Sequence, residues 1–162
     1  MIDQGGNSRL ADFGLITIRD SATNSCEQGG STRWMSPECL DPGAFGFKDG
    51  RQTKASDCYA LGMVVYEVLS GRIPFYQFSS SAAISKVSRG ERPERPQGAE
   101  GRWFTGEVWD ILERCWKPDP SDRPSIDCVL ECLDKASKSW TPSSFPVVGP
   151  QVVDQPTWTW SN

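Results

Sequence analysis

The sequence predicts one mainly α-helical domain, and two features of its middle part support this prediction. Apolar residues recur at three- and four-residue spacing in four separate stretches, which is the period of an amphipathic helix. Serine, glycine and proline residues that can cap or end a helix stand at the borders of these stretches. A chain of 162 residues is long enough to bury one core, so we expect a single domain over residues 1–136.

The clearest helix is predicted over residues 57–70. Its apolar residues fall at i, i+3, i+4, i+7 and i+8, namely Leu61, Val64, Val65, Val68 and Leu69. This spacing places them on one face, which we expect to lie in the core. Ser56 and Asp57 stand where a helix start needs a capping oxygen, and Gly71 follows as its end.

Three further helices are predicted downstream. The first covers residues 80–88, with Ile84 and Val87 turned inward and Gly90 at its end. The second covers residues 106–116, and the third follows Pro124, which suits a first helical turn. The apolar positions of these last two helices, all expected in the core, are Val108, Ile111, Leu112, Cys115, Trp116, Ile126, Val129, Leu130 and Leu133.

The two ends of the chain are not predicted to be helical. Residues 8–11 are predicted as a short strand, and residues 1–2 as the remnant of its partner in a β-hairpin across a Gly-Gly turn. Residues 137–162 are rich in proline, serine and threonine without a helical or strand period. We expect a mostly disordered tail there.

Composition excludes several classes of function. The formal charge of -4 gives no broad basic surface, so neither nucleic acid nor an anionic membrane is expected as a partner. No stretch reaches the roughly 20 apolar residues that span a bilayer, and the polar start has no signal-peptide core. Cytoplasm is the expected compartment, with the nucleus not excluded.

The histidine and cysteine content restricts the possible chemistry. The chain contains no histidine, which removes Ser-His-Asp and Cys-His catalysis. Its six cysteines are scattered, which favours reduced core residues over a disulfide framework. Cys128 and Cys132 share a helical face, but without histidine or a second cysteine pair at ligand spacing a zinc site is not expected.

Six motifs in order resemble the protein kinase family, and more narrowly its tyrosine kinase-like serine/threonine group. Asp-Phe-Gly and Ala-Pro-Glu bracket the activation loop of kinases; here the second has serine in place of alanine. The central-helix, Gly-x-x-Pro-Phe, Arg-Pro-x-Arg-Pro and Cys-Trp…Arg-Pro motifs follow. The matching residues are Asp12-Phe13-Gly14, Gly30 to Glu38 with Ser36-Pro37-Glu38 at its end, Ser56 to Glu67, Gly71 to Phe75, Arg92 to Pro96, and Cys115 to Ser125.

The resemblance implies a partial kinase fold, a helical C-lobe with the hairpin remnant before it, and phosphoryl transfer from ATP to a protein. By the family's pattern Asp12 binds Mg²⁺ that bridges the ATP phosphates, Phe13 packs differently in active and inactive states, and Gly14 forms the turn after it. Protein substrates or regulators are the partners it implies. Ser31 matches the small hydroxyl residue that favours serine/threonine substrates, and Thr32 follows it as a candidate phosphate acceptor.

Three residues are expected to act structurally. Glu38 and Arg123 match a buried ion pair that ties the end of the activation segment to the helical core of kinases. Asp57 matches the central-helix aspartate that braces the catalytic loop in kinases, and it could instead cap its own helix.

The matched motifs lack the other half of the kinase signature. No Gly-x-Gly-x-x-Gly loop, Val-Ala-x-Lys strand or His-Arg-Asp loop occurs in the sequence, so by the family's pattern we expect this chain to lack the N-lobe, the catalytic lysine and the catalytic base. We therefore expect no turnover from this chain alone. Two hypotheses stay open: a portion of a complete serine/threonine kinase that works with the missing N-terminal part, and a non-catalytic binding module for substrates or regulators. Within the first, tyrosine specificity also stays open, because the Cys-Trp and Arg-Trp-Met features occur in tyrosine kinases as well.

Overall fold

The computed structural model describes residues 32–139, with the side chains of residues 99 and 100 excepted. This part of the chain is helical and contains no β-strand. The predicted hairpin and most of the predicted tail lie outside it. The elements in chain order are α1 (Pro37–Leu40), a first 3₁₀ turn (Gly43–Phe45), α2 (Lys54–Ser70), α3 (Ser80–Ser88), α4 (Gly98–Gly101), α5 (Gly106–Cys115), a second 3₁₀ turn (Pro120–Asp122) and α6 (Ile126–Ser139).

The start of α2 differs from the prediction. The helix begins at Lys54, and Thr53 rather than Ser56 or Asp57 is its N-cap. Thr53 Oγ1 accepts a hydrogen bond from the Ser56 N–H at 3.1 Å, and Ser56 Oγ accepts one from the Thr53 N–H at 2.7 Å. This reciprocal capping box satisfies two N–H groups at once, which explains why the helix starts three residues earlier. Asp57 is an exposed residue of the first turn, so its prediction as a cap is wrong.

The face of α2 that is buried was also predicted wrongly. Val64 and Val68 are 44% and 73% exposed. Leu61, Val65 and Leu69 are only partly buried, at the edge of the core. The face in the core carries aromatic, small and sulfur-containing residues instead: Cys58, Tyr59, Gly62, Met63 and Tyr66. Because α2 is apolar on most of its sides, the spacing of its aliphatic residues could not identify the buried face.

The predicted helices that became α3 and α5 are confirmed. α3 has the predicted bounds, with Val87 buried and Ile84 partly buried. Gly90, just beyond it, has φ = 84°, a conformation that glycine adopts without steric cost. α5 ends at Cys115, and Trp116 is its C-cap. A polar N-cap, Ser79 for α3 and Thr105 for α5, and a glycine or proline shortly after each helix explain this agreement.

The last helix, α6, is confirmed in position but not in detail. Pro124 precedes the helix rather than opening it, and Ser125 Oγ accepts a hydrogen bond from the Cys128 N–H at 3.3 Å. Val129 is buried, whereas Leu130 is 53% exposed and was wrongly placed in the core. The helix extends to Ser139, past the predicted domain boundary at residue 136.

The core forms where α5 contacts both α2 and α6. The approach of α2 to α5 is closest at Gly62, where an added Cβ would lie 2.9 Å from Cys115 Cβ and 2.7 Å from Trp116 Nε1. Aromatic rings fill the neighbouring space, with Tyr66 5.7 Å from Phe104 and 6.1 Å from Trp116 between centroids. Among residues 32–139 no helix has the length and apolar character needed to cross a membrane.

Candidate functional site

The candidate site is built around residues 32–40, called here the anchored segment. It consists of a turn at residues 32–34, two residues without regular secondary structure and the short helix α1. Ser36 is the N-cap of α1, and Pro37 occupies the first helical turn, where the missing N–H of proline has no cost. Ser36, Pro37 and Glu38 are buried and Thr32 is partly buried. The segment therefore lies against the core rather than over solvent.

The end of the anchored segment is fixed by an ion pair between Glu38 and Arg123. Arg123 Nη1 lies 2.7 Å from Glu38 Oε1, and Arg123 Nη2 lies 2.7 Å from Glu38 Oε2. The side chain of Arg123 is 0% exposed and that of Glu38 is 4% exposed. The planar fork of a guanidinium matches both oxygens of a carboxylate, so the pair sets the orientation of α1 as well as its position.

Arg123 also satisfies its remaining donors. Its Nε donates to Lys117 O at 2.9 Å, Nη1 to Ala55 O at 3.0 Å, and Nη2 to Pro118 O at 3.2 Å. With the two bonds to Glu38, every guanidinium N–H has an acceptor. This complete set offsets the cost of removing the two charges from water. It also joins α1 to the start of α2 and to the segment after α5.

The electrostatics of the pair follow from its burial and hydrogen bonds. Burial is the largest single influence and acts to raise the pKa of the Glu38 carboxyl, but the hydrogen bonds to the carboxylate, those from Arg123 foremost, together with the positive charge of Arg123 outweigh it and hold the pKa below its ordinary value. Tyr59 lies beside the pair, with Arg123 Cζ 5.2 Å and Arg92 Cζ 5.4 Å from its ring centroid. Burial raises the pKa of Tyr59 to about 12, so its phenol is neutral next to two guanidinium groups.

The start of the anchored segment is fixed by Arg33. Arg33 Nη1 donates to Pro74 O at 3.1 Å and to Phe75 O at 2.9 Å, and Arg33 Nη2 donates to Phe78 O at 2.6 Å. These carbonyls belong to the connection between α2 and α3, in which Phe75 has φ = 56°. Positive φ is unusual for a bulky residue, so Arg33 holds a turn that is costly to form.

Trp34 provides a third attachment. Its Nε1 donates to Glu67 Oε2 of α2 at 2.9 Å, and its ring packs against the buried cluster. The anchored segment is therefore attached to the connection after α2, to α2 itself, and through Glu38 to Arg123. Three attachments within six residues leave the segment little freedom of position relative to the helices.

Not all residues proposed from the sequence belong to this arrangement. Asp12, Phe13, Gly14 and Ser31 lie outside the described residues. Asp57 is exposed on the first turn of α2. Within the described range no group of three or more histidine, cysteine, aspartate or glutamate side chains could hold a metal ion. The predicted Mg²⁺ ligand, Asp12, lies outside this range, so the structure does not test a nucleotide or Mg²⁺ site.

Sequence reasoning did not assign roles to Arg33, Trp34 or Glu67. All three stand inside the motifs that carried the family resemblance, but the bonds they make join residues 33 to 45 positions apart. Helical periodicity describes only contacts within one element. The sequence did contain one signal: an arginine and a tryptophan are adjacent in a segment that has no helical or strand period. Such a pair indicates that the segment packs against a part of the chain distant in sequence.

Comparison of the whole chain with known proteins identifies its class. A sequence profile of the family described as "Protein tyrosine and serine/threonine kinase" matches residues 1–133. The chain therefore belongs to the protein kinase family. Its described part is the helical, C-lobe portion of that fold, which agrees with the fold predicted from the motifs.

The relatives are serine/threonine kinases. The chain is 30% identical over 134 residues to a probable serine/threonine-protein kinase of Dictyostelium discoideum, which covers 82% of this chain and 13% of that protein. It is 30% identical over 142 residues to mitogen-activated protein kinase kinase kinase 7 of Drosophila melanogaster, covering 87% of this chain and 19% of the relative. Mitogen-activated protein kinase kinase kinase 10 of Xenopus laevis is 28% identical over 130 residues, covering 80% and 12%. The chain spans less than a fifth of the length of these relatives.

Proposed function

We propose that this chain is the activation-segment and C-lobe portion of a kinase that transfers phosphate from ATP to serine or threonine hydroxyls of proteins, and that it does not catalyse this transfer by itself. The observation that carries the proposal is the buried two-point ion pair between Glu38 and Arg123. It fixes the end of the activation segment to the helices, and the activation segment is the part of a kinase that presents the protein substrate.

The attachments at the other end of the segment support the same role. Arg33 and Trp34 hold residues 32–34 against α2 and the connection that follows it. Kinase catalysis depends on positioning and charge stabilisation rather than on covalent chemistry by the protein. A segment fixed in this way can present a hydroxyl substrate in a constant position. The serine/threonine preference rests on Ser31 and on the names of the relatives.

The cofactor part of the proposal rests on the sequence motif. When bound, Mg²⁺-ATP supplies the phosphoryl group, and Asp12 offers one carboxylate to the metal. The positions that would supply the catalytic base and the lysine have no counterpart in this chain. For the purified chain we expect no phosphate transfer and no saturable thermal stabilisation by Mg²⁺-ATP.

A chimaera tests the proposal directly. The part of the Drosophila relative that precedes its matched segment is joined to Met1 of this chain, and labelled ATP is supplied with a general protein substrate. We expect label on serine and threonine. The matched control is the same chimaera with Asp12→Asn, in which we expect labelling to fall by about 100-fold or more.

Two results would count against the proposal. A folded chimaera that binds Mg²⁺-ATP but transfers no phosphate would favour the non-catalytic binding module. Label confined to tyrosine would contradict the proposed specificity while leaving the kinase class intact. Circular dichroism and a cooperative melting transition establish that the chimaera is folded.

A further inference from the structure

Two buried cysteines face each other across the contact between α2 and α5. Cys58 Sγ and Cys115 Sγ lie 3.7 Å apart, although the two residues are 57 positions apart in sequence. Cys58 is 1% exposed and Cys115 is 0% exposed, and both are free thiols. A disulfide requires about 2.05 Å between its sulfurs, so the thiols are less than 2 Å from bonding distance.

The packing of the two helices explains why the sulfurs come so close. Gly62, one turn after Cys58, brings the backbone of α2 so near α5 that an added Cβ would lie 2.9 Å from Cys115 Cβ. A larger residue at position 62 would therefore separate the helices. Cys128 and Cys132, by comparison, are only partly buried, and both stand on the single helix α6. The pair at the α2–α5 contact is thus positioned to join two separate helices.

We propose that Cys58 and Cys115 are a disulfide-forming pair that joins α2 to α5 when the protein meets a peroxide. In the first step a thiolate sulfur attacks hydrogen peroxide; an S–O bond forms, the O–O bond breaks, and the released hydroxide takes up a proton as water. In the second step the other sulfur attacks the sulfenic sulfur; the S–S bond forms, the S–O bond breaks, and the leaving hydroxide takes the second thiol's proton. Two thiols are oxidised to one disulfide, and one peroxide is reduced to two waters.

The surroundings of the two thiols determine which one reacts first and how quickly the disulfide forms. Burial raises the pKa of both thiols; at Cys58 the hydrogen bond with Cys115 and then the positive charge of Arg123 oppose this effect, whereas at Cys115 the neighbouring Cys58 adds to it. Cys58 is therefore the thiol expected to react with peroxide first. Because both sulfurs are shielded, oxidation needs transient separation of α2 and α5. The thiols stay reduced under brief exposure and form the cross-link under sustained exposure.

The test is a disulfide map of the full chain. The protein is treated with hydrogen peroxide for graded times, its remaining thiols are blocked with N-ethylmaleimide, and its peptides are analysed by mass spectrometry without reduction. We expect a cross-linked peptide pair that contains Cys58 and Cys115 and disappears after dithiothreitol. Urea below the unfolding transition should increase its rate of formation. The oxidised chain should melt about 5 to 15 °C higher, because the bond closes a 57-residue loop.

Two variants complete the test. Cys58→Ala should abolish both the cross-link and the rise in melting temperature. The matched control, Cys128→Ala with Cys132→Ala, should leave both unchanged. If the Cys58 variant does not fold, the map of the unmodified chain decides alone. Sustained oxidation that leaves Cys58 and Cys115 as thiols, converts them to sulfinic acids, or links either to a different cysteine would overturn the proposal.

Discussion

Two arginines hold the two ends of the anchored segment in opposite surroundings. Arg123 has no exposed side-chain surface and meets a carboxylate through two bonds of 2.7 Å. Arg33 is partly exposed and, among residues 32–139, donates its hydrogen bonds to neutral carbonyls of one connection. Breaking a buried pair leaves an unpaired charge in the interior, whereas water can replace the partners of a surface group. The same side chain should therefore matter much more at position 123 than at position 33.

The largest effect is expected for Arg123→Ala. This change leaves the Glu38 carboxylate buried without its partner and should lower the free energy of unfolding by about 3 to 5 kcal/mol. Urea denaturation measures it. The matched control is Arg51→Ala, which removes a guanidinium 77% exposed and paired with Asp49, and should change stability by less than about 0.5 kcal/mol. Equal effects of the two changes would show that burial is not what distinguishes Arg123.

The acid side of the stability profile should depend on Glu38. Its folded-state pKa lies below the ordinary value of 4.5, so the unfolded chain takes up the proton first as the pH falls. The stabilisation is therefore complete above that value and is lost as the pH falls from it through the folded-state pKa. In Glu38→Gln the free energy of unfolding, measured by urea titrations, should depend less on pH between pH 6 and about 3. Unchanged slopes would mean that other carboxyls cause the acid loss.

A smaller effect is expected for Arg33→Ala. Three hydrogen bonds to carbonyls are lost, but water reaches this site, so the expected cost is about 1 to 2 kcal/mol. Arg33→Lys keeps the charge without the fork geometry, so its stability should lie between that of the unmodified chain and that of Arg33→Ala. Amide hydrogen exchange should accelerate at residues 75–78 in the alanine variant. A loss as large as that of Arg123→Ala would remove the contrast between the two ends.

The smallest effect is expected at a position that takes part in none of the three attachments of the anchored segment. Val68 is 73% exposed on α2, so Val68→Thr should change stability by less than about 0.5 kcal/mol. Its buried counterpart on the same helix is Met63, with 0% exposure, where Met63→Ala should cost about 2 to 5 kcal/mol. Thermal unfolding compares them. A large loss at Val68 would show that this face is covered in solution.

The sequence predicted where the helices lie better than it predicted which of their faces are buried. The helix over residues 80–88 was located correctly because polar caps and a following glycine limited its apolar pattern. The buried face of α2 was not, since Val64 and Val68 fit a helical stripe as well as the residues that contact α5 do. Periodicity reports that a helix has an apolar side. It does not report which of two apolar sides meets a neighbour.

The candidate site was likewise predicted only in part. The resemblance named Glu38 and Arg123 as partners, and the two side chains do meet. The bonds from Arg33 to the connection after α2 had no local pattern to predict them, because that connection adopts its shape through the positive φ of Phe75. Contacts that depend on how an irregular turn folds back require the three-dimensional structure.

The position of Tyr59 makes the interior of this lobe optically observable. Its ring lies within 5.4 Å of two guanidinium carbons, and one of them belongs to the arginine that binds Glu38. Tyrosine absorbs near 295 nm only as phenolate, and burial keeps this phenol protonated up to a pH of about 12. Loss of the packing around Arg123 would expose the ring and lower that pH. The chain has three tyrosines, so the difference between the absorbance titrations of the unmodified chain and Tyr59→Phe reports the state of the lobe without any attached label.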